Sequence, residues 1–255
     1  MDEPTEVTDM TNFMKNLCQM AGEFAKWSAT IDWEILNKKI EYLTNKLPQD
    51  LENESIRLMN RGWFIWFLDS NLDDFIEKIT ALANRSECDQ DIYMKEYIIN
   101  NTEAIKANLS ADHPKRKNQI EDAFRAHNLG MYYCSVPTFL AISEGIGRDL
   151  YNVGLYAKHK RGTPKAGLPV TSDLVDAISG VEIFEAAILK PLKVSSEITR
   201  SISAPTNDDK KLLNRHLIMH GNSDAYGNEI NSLKSISLVY FVNKSLNHIK
   251  NLSAP

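Results

Sequence analysis

The C-terminal part of the chain carries an arginine and two histidines whose spacing could support acid–base chemistry on a phosphate. Arg215 and His216 begin the run Arg-His-Leu-Ile-Met-His, and His220 ends it. If this run is helical, the four-residue spacing places His216 and His220 side by side on one face, and Arg215 points about 140° round the axis from His220. Imidazole can accept or donate a proton near neutral pH. Guanidinium carries a permanent charge and a fork of donors that suits phosphate oxygens.

The flanking residues predict a complete helix around this run. Residues 205–207 can start it, and the aspartates at 208 and 209 suit the positive end of a helix dipole. Gly221 offers a left-handed stop at the C-terminal end. We expect the buried side of the helix to consist of Leu212, Leu213, Leu217 and Met219.

The run and its context resemble a known family. Arg215, His216 and His220 resemble the signature of the HEPN superfamily of small helical nucleotide-binding and ribonuclease domains, which is Arg, a polar residue, three further residues and His. The segment from Gly221 to Lys234 is similar to the turn and final helix of bacterial members, and residues 126–145 are similar to an upstream segment of such proteins. The resemblance covers roughly residues 112 to 250.

The resemblance implies a metal-independent endoribonuclease that needs no cofactor. Such cleavage requires a base for the ribose 2′-hydroxyl, an acid for the leaving oxygen and a cation for the phosphate. One copy of the motif supplies too few groups, and the family implies that two chains pair so that two motifs face one cleft. Arg215 and His220 would then be catalytic in a homodimer. Asn214 and His216 would be neighbours that orient the phosphate or the second histidine.

Glu144 has two interpretations at the sequence level. It lies in a predicted helix beside two glycines, Gly145 and Gly147. It is either an ordinary helical carboxylate or an acidic partner that orients Arg215 or a histidine of the site.

The family context also implies a biological setting and three alternatives. A toxin or phage-defence role in bacteria would bring a neutralising antitoxin or a defence-system partner. The main alternative is a non-catalytic interaction, dimerisation or nucleotide-binding module, in which Arg215 and the histidines cap a helix or pair with acids. Another alternative is a toxin silenced by nucleotidyl transfer to a tyrosine, but the usual position holds Asn222, and Tyr226 is the nearest candidate. A metal site is disfavoured because the histidine pair has no HExxH glutamate and no obvious third ligand.

Two basic segments are candidates for RNA contact, or else are simply solvated surface. The first is the glycine- and proline-rich loop 158–169, and the second is the cluster at 113–117, which follows a predicted helix end. Lysine and arginine on such segments can bind a phosphate backbone. The candidate RNA-binding residues are Lys158, Lys160, Arg161, Lys165, Lys115, Arg116 and Lys117.

Composition limits the class of protein. The 255 residues carry a net charge of -5, which argues against indiscriminate coating of nucleic acid and requires any RNA contact to be local. No run of eighteen apolar residues exists, and the chain starts with an acidic segment, so we expect a cytoplasmic protein without a membrane span. The three cysteines are widely spaced and indicate neither a disulfide framework nor a zinc site.

The hydrophobic periodicity predicts an all-α helical bundle. Apolar residues recur every three or four positions and no stretch alternates as a strand does. Helices are expected over about 11–46, 51–84, 93–109, 118–127, 136–151, 171–191 and 228–250. Within the second, Trp63 and Trp66 are expected to be core, or alternatively a platform for stacked bases. We place a boundary after residue 111, between an N-terminal helical region of unknown role, 1–111, and a HEPN-like domain, 112–255.

Overall fold

The computed structural model describes residues 15, 19–23, 26, 28, 30–66, 72–178, 183–200, 202 and 206–253. These residues form ten α-helices and no β-strand, so the all-α prediction is confirmed. None of the helices in these ranges is long and apolar enough to cross a lipid bilayer. The helices are α1 Trp33–Glu41, α2 Leu47–Asn60, α3 Leu72–Ala83, α4 Glu87–Asp112, α5 Lys117–Asn128, α6 Tyr132–Tyr151, α7 Ser172–Asp176, α8 Ile183–Leu189, α9 Arg215–Met219 and α10 Glu229–Leu252.

The chain divides into two compact units, residues 1–47 and 48–255. In the first unit, Asp32 caps α1, and a π-helical turn, Tyr42–Lys46, follows that helix. The rest of the helix predicted over residues 11–46 lies largely outside the described residues. The boundary predicted after residue 111 falls at the end of α4 inside the second unit, and as a division of roles between two segments it stays a prediction.

The core of the second unit is built by four helices, α4, α5, α6 and α10, which pack on one another. α10 is the central helix, because residues on most of its faces are buried. One of its inner serines is satisfied within the helix: Ser235 Oγ donates to the carbonyl of Asn231, 2.8 Å away. The fully buried apolar residues of α10 include Leu233, Ile236, Val239, Val242 and Leu246.

The aromatic segment 63–66 is core, as predicted, but it is not helical. α2 ends at Asn60, and Gly62 adopts a left-handed conformation with φ of 87°, which turns the chain into an extended segment. Trp63 is fully buried and Trp66 is 4% exposed. The backbone N–H of Phe64 donates to Ser237 on α10, 3.2 Å away, so tertiary contacts take the place of helical hydrogen bonds.

α6 starts a turn earlier than predicted, at Tyr132, and contains Pro137 in its interior. A proline has no N–H, so the carbonyl four residues back, on Tyr133, loses its helical partner. The hydroxyl of Tyr226 donates to that carbonyl over 3.2 Å. The tyrosine of the turn before α10 therefore compensates for the proline and fixes that turn against α6.

Candidate active site

The short helix α9 that carries the motif is positioned by Asn214. This residue is fully buried, and its Oδ1 accepts the N–H of Leu217 as an N-terminal cap. Its Nδ2 donates to the carbonyls of Glu197 and Arg200, 2.6 and 2.9 Å away. One side chain thus starts the helix and fastens it to the preceding loop.

The helix begins at Arg215, so the start predicted at residues 205–207 is wrong. Residues 209–211 form a separate 3-10 turn, and Leu212 is extended. The predicted stop is confirmed, since Gly221 has φ of 70°. Leu212 and Met219 are 41% and 49% exposed, against the expectation that they are buried, because the shorter helix no longer turns both inward.

Arg215 lies over the ring of Tyr156, with its Cζ 5.3 Å from the ring centroid. It is partly buried, and its backbone N–H donates to the carbonyl of Ile198 over 3.0 Å. Within the described ranges, its guanidinium has neither an ion pair nor a hydrogen bond with a side chain. The positive charge is therefore held in place on an aromatic face while its donors remain open to a ligand.

Two open pockets meet at Arg215 and Tyr156, which line both. The first, of about 170 Å³, is also lined by Glu144 and Met219. The second, of about 240 Å³, adds Lys158, Ile198, Thr199 and His216. Arg215 is thus accessible from both sides, and Lys158 adds a second cation to one of them.

The two histidines of the motif lie side by side, as the four-residue spacing predicted. The ring centroids of His216 and His220 are 4.5 Å apart with the planes inclined at 60°. His220 is exposed and His216 partly exposed, so both rings reach the surface beside Arg215. Among the described residues, no third histidine, cysteine or acid joins this pair in a cluster that could hold a metal ion.

Glu144 lies in the first pocket but is bound to the turn behind it. Its Oε2 accepts the backbone N–H of Tyr156 over 3.1 Å, and its Oε1 faces Arg148 at 3.4 Å. Burial and the nearby Glu144 charge raise the pKa of Tyr156, whose hydroxyl donates to the carbonyl of Leu140, 3.2 Å away. Glu144 therefore contacts the backbone of the tyrosine on which Arg215 lies, and its role in orienting Arg215 stays a prediction.

The structure gives Asn214 a positioning role. Both of its amide hydrogens and its oxygen are engaged within the chain, which leaves no amide hydrogen for the phosphate contact that the sequence suggested. His216, in contrast, lines the second pocket together with Arg215, and His220 lies beside His216 outside the lining of both pockets.

The basic loop 158–169, which follows Tyr156 in the chain, is closed by backbone contacts between its two ends. Lys158 and Pro169 form an antiparallel bridge, and His159 N–H donates to the carbonyl of Leu168 over 2.9 Å. Lys165 is tied to Asp173 and Asp176 at 2.7 and 2.6 Å, and these hydrogen bonds lower the pKa of both carboxyls.

The predicted RNA-binding residues thus differ in their surroundings. Of the loop residues, Lys158 lines the Arg215 site, Lys160 and Arg161 are exposed, and Lys165 is engaged by acids. In the other cluster, Lys115 is exposed, Lys117 lies 3.9 Å from Glu121, and Arg116 is held by Asp149 at 2.7 and 3.0 Å. No contact with Arg215 is found for this second cluster within the described residues. Their binding of RNA stays a prediction.

Tyr156 and Thr199 are members of the site that the sequence did not reveal. Tyr156 stands in the segment between α6 and the basic loop, and Thr199 lies in the turn 197–199. Neither belongs to a motif or a periodic pattern. Only the fold brings them to Arg215.

Comparison of the chain with protein-family models, with curated proteins and with solved structures finds no match.

Proposed function

We propose that this protein is a metal-independent endoribonuclease of HEPN type. The observation that carries the proposal is the state of Arg215: a partly buried guanidinium that no described side chain pairs with, open to two pockets, one of which is also lined by His216, the neighbour of His220. A merely structural arginine in a helix would be expected to pair with an acid or cap a carbonyl. Arg215 has the surroundings expected of an anion-binding residue.

The chemistry follows from the groups that surround this guanidinium. A base removes the proton of the ribose 2′-hydroxyl, the oxygen attacks the adjacent phosphorus, and the bond to the 5′-oxygen breaks as an acid protonates that oxygen. The products are a 2′,3′-cyclic phosphate and a 5′-hydroxyl. Arg215 and Lys158 stabilise the charge that develops on the phosphate, and His220, assisted by His216, transfers the protons.

A second copy of the chain completes the set of groups. Base and acid act on opposite sides of the phosphorus, whereas His216 and His220 lie together on one face of α9. Two exposed apolar residues, Leu212 just before the motif and Met219 within it, offer a contact surface for a partner copy. The proposal therefore includes a homodimer with facing motifs, RNA as substrate, and a bacterial toxin or phage-defence role.

The test is cleavage of labelled total and transfer RNA in EDTA by wild type and by Arg215→Ala, His220→Ala and His216→Ala. We expect Arg215→Ala and His220→Ala to reduce the rate by roughly a hundredfold or more, as removal of a transition-state donor or an acid–base group does. Arg125→Ala is the matched control, because Arg125 is an exposed arginine paired with Asp122 outside the site.

Two results would contradict the proposal. Either wild type cuts none of these RNAs, or the site variants, folded as judged by circular dichroism, cut as fast as Arg125→Ala. The second result would favour a non-catalytic interaction module, and size-exclusion chromatography with light scattering would show whether the chain dimerises in that role.

A further inference from the structure

A further polar pocket, apart from the two at Arg215, lies where the turn after α2 meets the first turn of α10. Its volume is about 250 Å³, and it shares no lining residue with the two pockets at Arg215. Three cations and three amides line it: Arg61, Lys211 and Lys234, with Asn60, Asn228 and Asn231. Both amide hydrogens of Asn231 are engaged by the carbonyls of Lys211 and Tyr226, so the three cations are the groups suited to an anion.

Lys234 is the residue whose placement needs an explanation. Its side chain crosses Gly62, where a Cβ would stand 3.1 Å from the lysine Cδ, and its Nζ lies 5.5 Å from the centroid of the Trp63 ring. In the part of the chain that the structure describes, the amine has no hydrogen bond and no ion pair. Burial lowers the pKa of Lys234, the charge of Asp91 opposes this by raising it, and the nearby Arg61 lowers it.

The carboxylates near this pocket are already engaged. Asp91 forms an ion pair with Arg61 and also accepts the indole N–H of Trp63, 2.7 Å away. Glu197, the acid in the pocket lining, is bound by Arg200 at 2.8 Å. Asp91 is thus the carboxylate near both Arg61 and Lys234 but is paired with Arg61, and this leaves an excess of positive charge in a partly desolvated site.

Lys211 adds a third positive charge. It pairs with Asp208 at 3.0 Å, but the two side chains are 65% and 92% exposed, so this pair is weak and is readily exchanged for another anion. The first turn of α10 also lines the pocket, and the positive end of that helix dipole favours negative charge there.

We propose that this pocket binds a phosphate group, with Lys234 as the principal contact and Arg61 and Lys211 beside it. A phosphate monoester, with a charge of about −1.5 to −2 at neutral pH, neutralises the excess of positive charge. The phosphate comes either from a small phosphorylated molecule or from the backbone of an RNA strand. The site is separate from the proposed cleavage site, so either can fail without the other.

The test is calorimetric titration of the full chain with inorganic phosphate, with pyrophosphate and with adenosine monophosphate as probes. All proteins carry Arg215→Ala, so that phosphate bound at Arg215 does not contribute. We expect Lys234→Met, which keeps the apolar stem, to weaken binding by roughly tenfold or more, the loss that removal of one charged hydrogen-bond donor causes. Lys244→Met is the matched control, because Lys244 also lies on α10 over an aromatic ring, that of Tyr240, and does not line the pocket.

A second measurement uses protein in which Lys234 is unaltered, so that the test does not depend on the folding of the Lys234→Met variant. Lysines are acetylated with a water-soluble ester, with and without phosphate, and the modified peptides are quantified by mass spectrometry. Phosphate is expected to protect Lys234 and not Lys244. Absence of phosphate binding, equal binding by both variants, or equal labelling of Lys234 with and without phosphate would overturn the proposal.

The source of the phosphate is distinguished with a 2′-O-methylated oligonucleotide, which cannot be cleaved through its 2′-oxygen. If Lys234→Met weakens binding of this strand, the pocket holds a backbone phosphate of RNA. If it weakens only the binding of the small phosphates, the pocket holds a free phosphorylated ligand.

Discussion

At the scale of single residues, the candidate site depends on the aromatic ring of Tyr156. The guanidinium of Arg215 lies on this ring and lines two open pockets. Arg215 rests on Tyr156, and Tyr156 is fixed from below by Glu144 and Leu140. A guanidinium that lies on a ring keeps its in-plane donors available to a phosphate. We therefore expect Tyr156 to act as a positioning residue of which only the ring is required.

This interpretation predicts different results for two substitutions of Tyr156. Tyr156→Phe keeps the ring, and we expect RNA binding and cleavage within about twofold of wild type and a loss of stability of about 1 kcal/mol for the missing hydrogen bond. Tyr156→Ala removes the support of Arg215, and we expect binding of 2′-O-methylated RNA to weaken by roughly tenfold. Fluorescence anisotropy measures this binding. Equal binding by the two variants would show that the ring does not hold Arg215 in its active orientation.

At the scale of helices, the motif helix is fixed by contacts with distant parts of the chain. The two carbonyls bound by Asn214 belong to residues 17 and 14 positions earlier in the sequence. The orientation of Arg215 is thus set by the loop 197–200 as well as by α9 itself.

Substitutions of Asn214 distinguish the stability contributed by the N-terminal cap from that contributed by the hydrogen bonds to the two carbonyls. We expect Asn214→Ala to lower the free energy of unfolding by about 2–3 kcal/mol, which combines the lost cap with two unsatisfied carbonyls. Asn214→Asp keeps the capping oxygen but directs a carboxylate at both carbonyls, so we expect a loss at least as large. Urea denaturation measures both values. If Asn214→Asp is as stable as wild type, only the cap contributes.

Periodicity predicted the long helices, because their apolar residues repeat along one face. The helix predicted over 118–127 is α5, Lys117–Asn128, and the one predicted over 228–250 is α10, Glu229–Leu252. Local sequence could not predict the start of α9, which depends on Asn214 and distant carbonyls. It also could not predict that segment 63–66 is extended, because an all-apolar run is equally compatible with a buried helix and a buried extended chain.

At the scale of the whole molecule, buried polar contacts join the helices of the bundle. His127 on α5 shares a hydrogen bond with Ser232 on α10, with Nδ1 2.8 Å from Oγ, and Ser232 in turn lies 2.8 Å from Ser135 Oγ on α6. Burial lowers the pKa of His127 below 6.5, partly offset by the charge of Glu229. The fold therefore favours the neutral ring.

This contact predicts a pH dependence of stability. The unfolded chain binds a proton at His127 at a higher pH than the folded chain does, so the free energy of unfolding falls as the pH decreases below about 6.5. We expect His127→Gln to show a smaller decrease, measured by urea denaturation at a series of pH values. Comparison at pH 8, where the ring is neutral in both states, isolates the effect of packing. An unchanged slope in His127→Gln would show that this histidine does not contribute.

The candidate site as a whole was predictable only in part. The side-by-side histidines followed from their spacing. Tyr156 and Thr199, in contrast, reach Arg215 only through the fold, and the fold alone also forms the separate pocket around Lys234. These residues are far apart in sequence and follow no pattern.

The central claim, ribonuclease chemistry at Arg215, is tested most directly by one comparison of substrates. Wild type and Arg215→Ala are given an RNA oligonucleotide and its 2′-O-methylated copy in EDTA, and the ends of the products are identified by mass spectrometry. We predict that wild type cuts only the unmodified RNA, leaving 2′,3′-cyclic phosphate ends, and that Arg215→Ala cuts neither. Cleavage of the methylated strand, undiminished cleavage by Arg215→Ala, or no cleavage by wild type would contradict the claim.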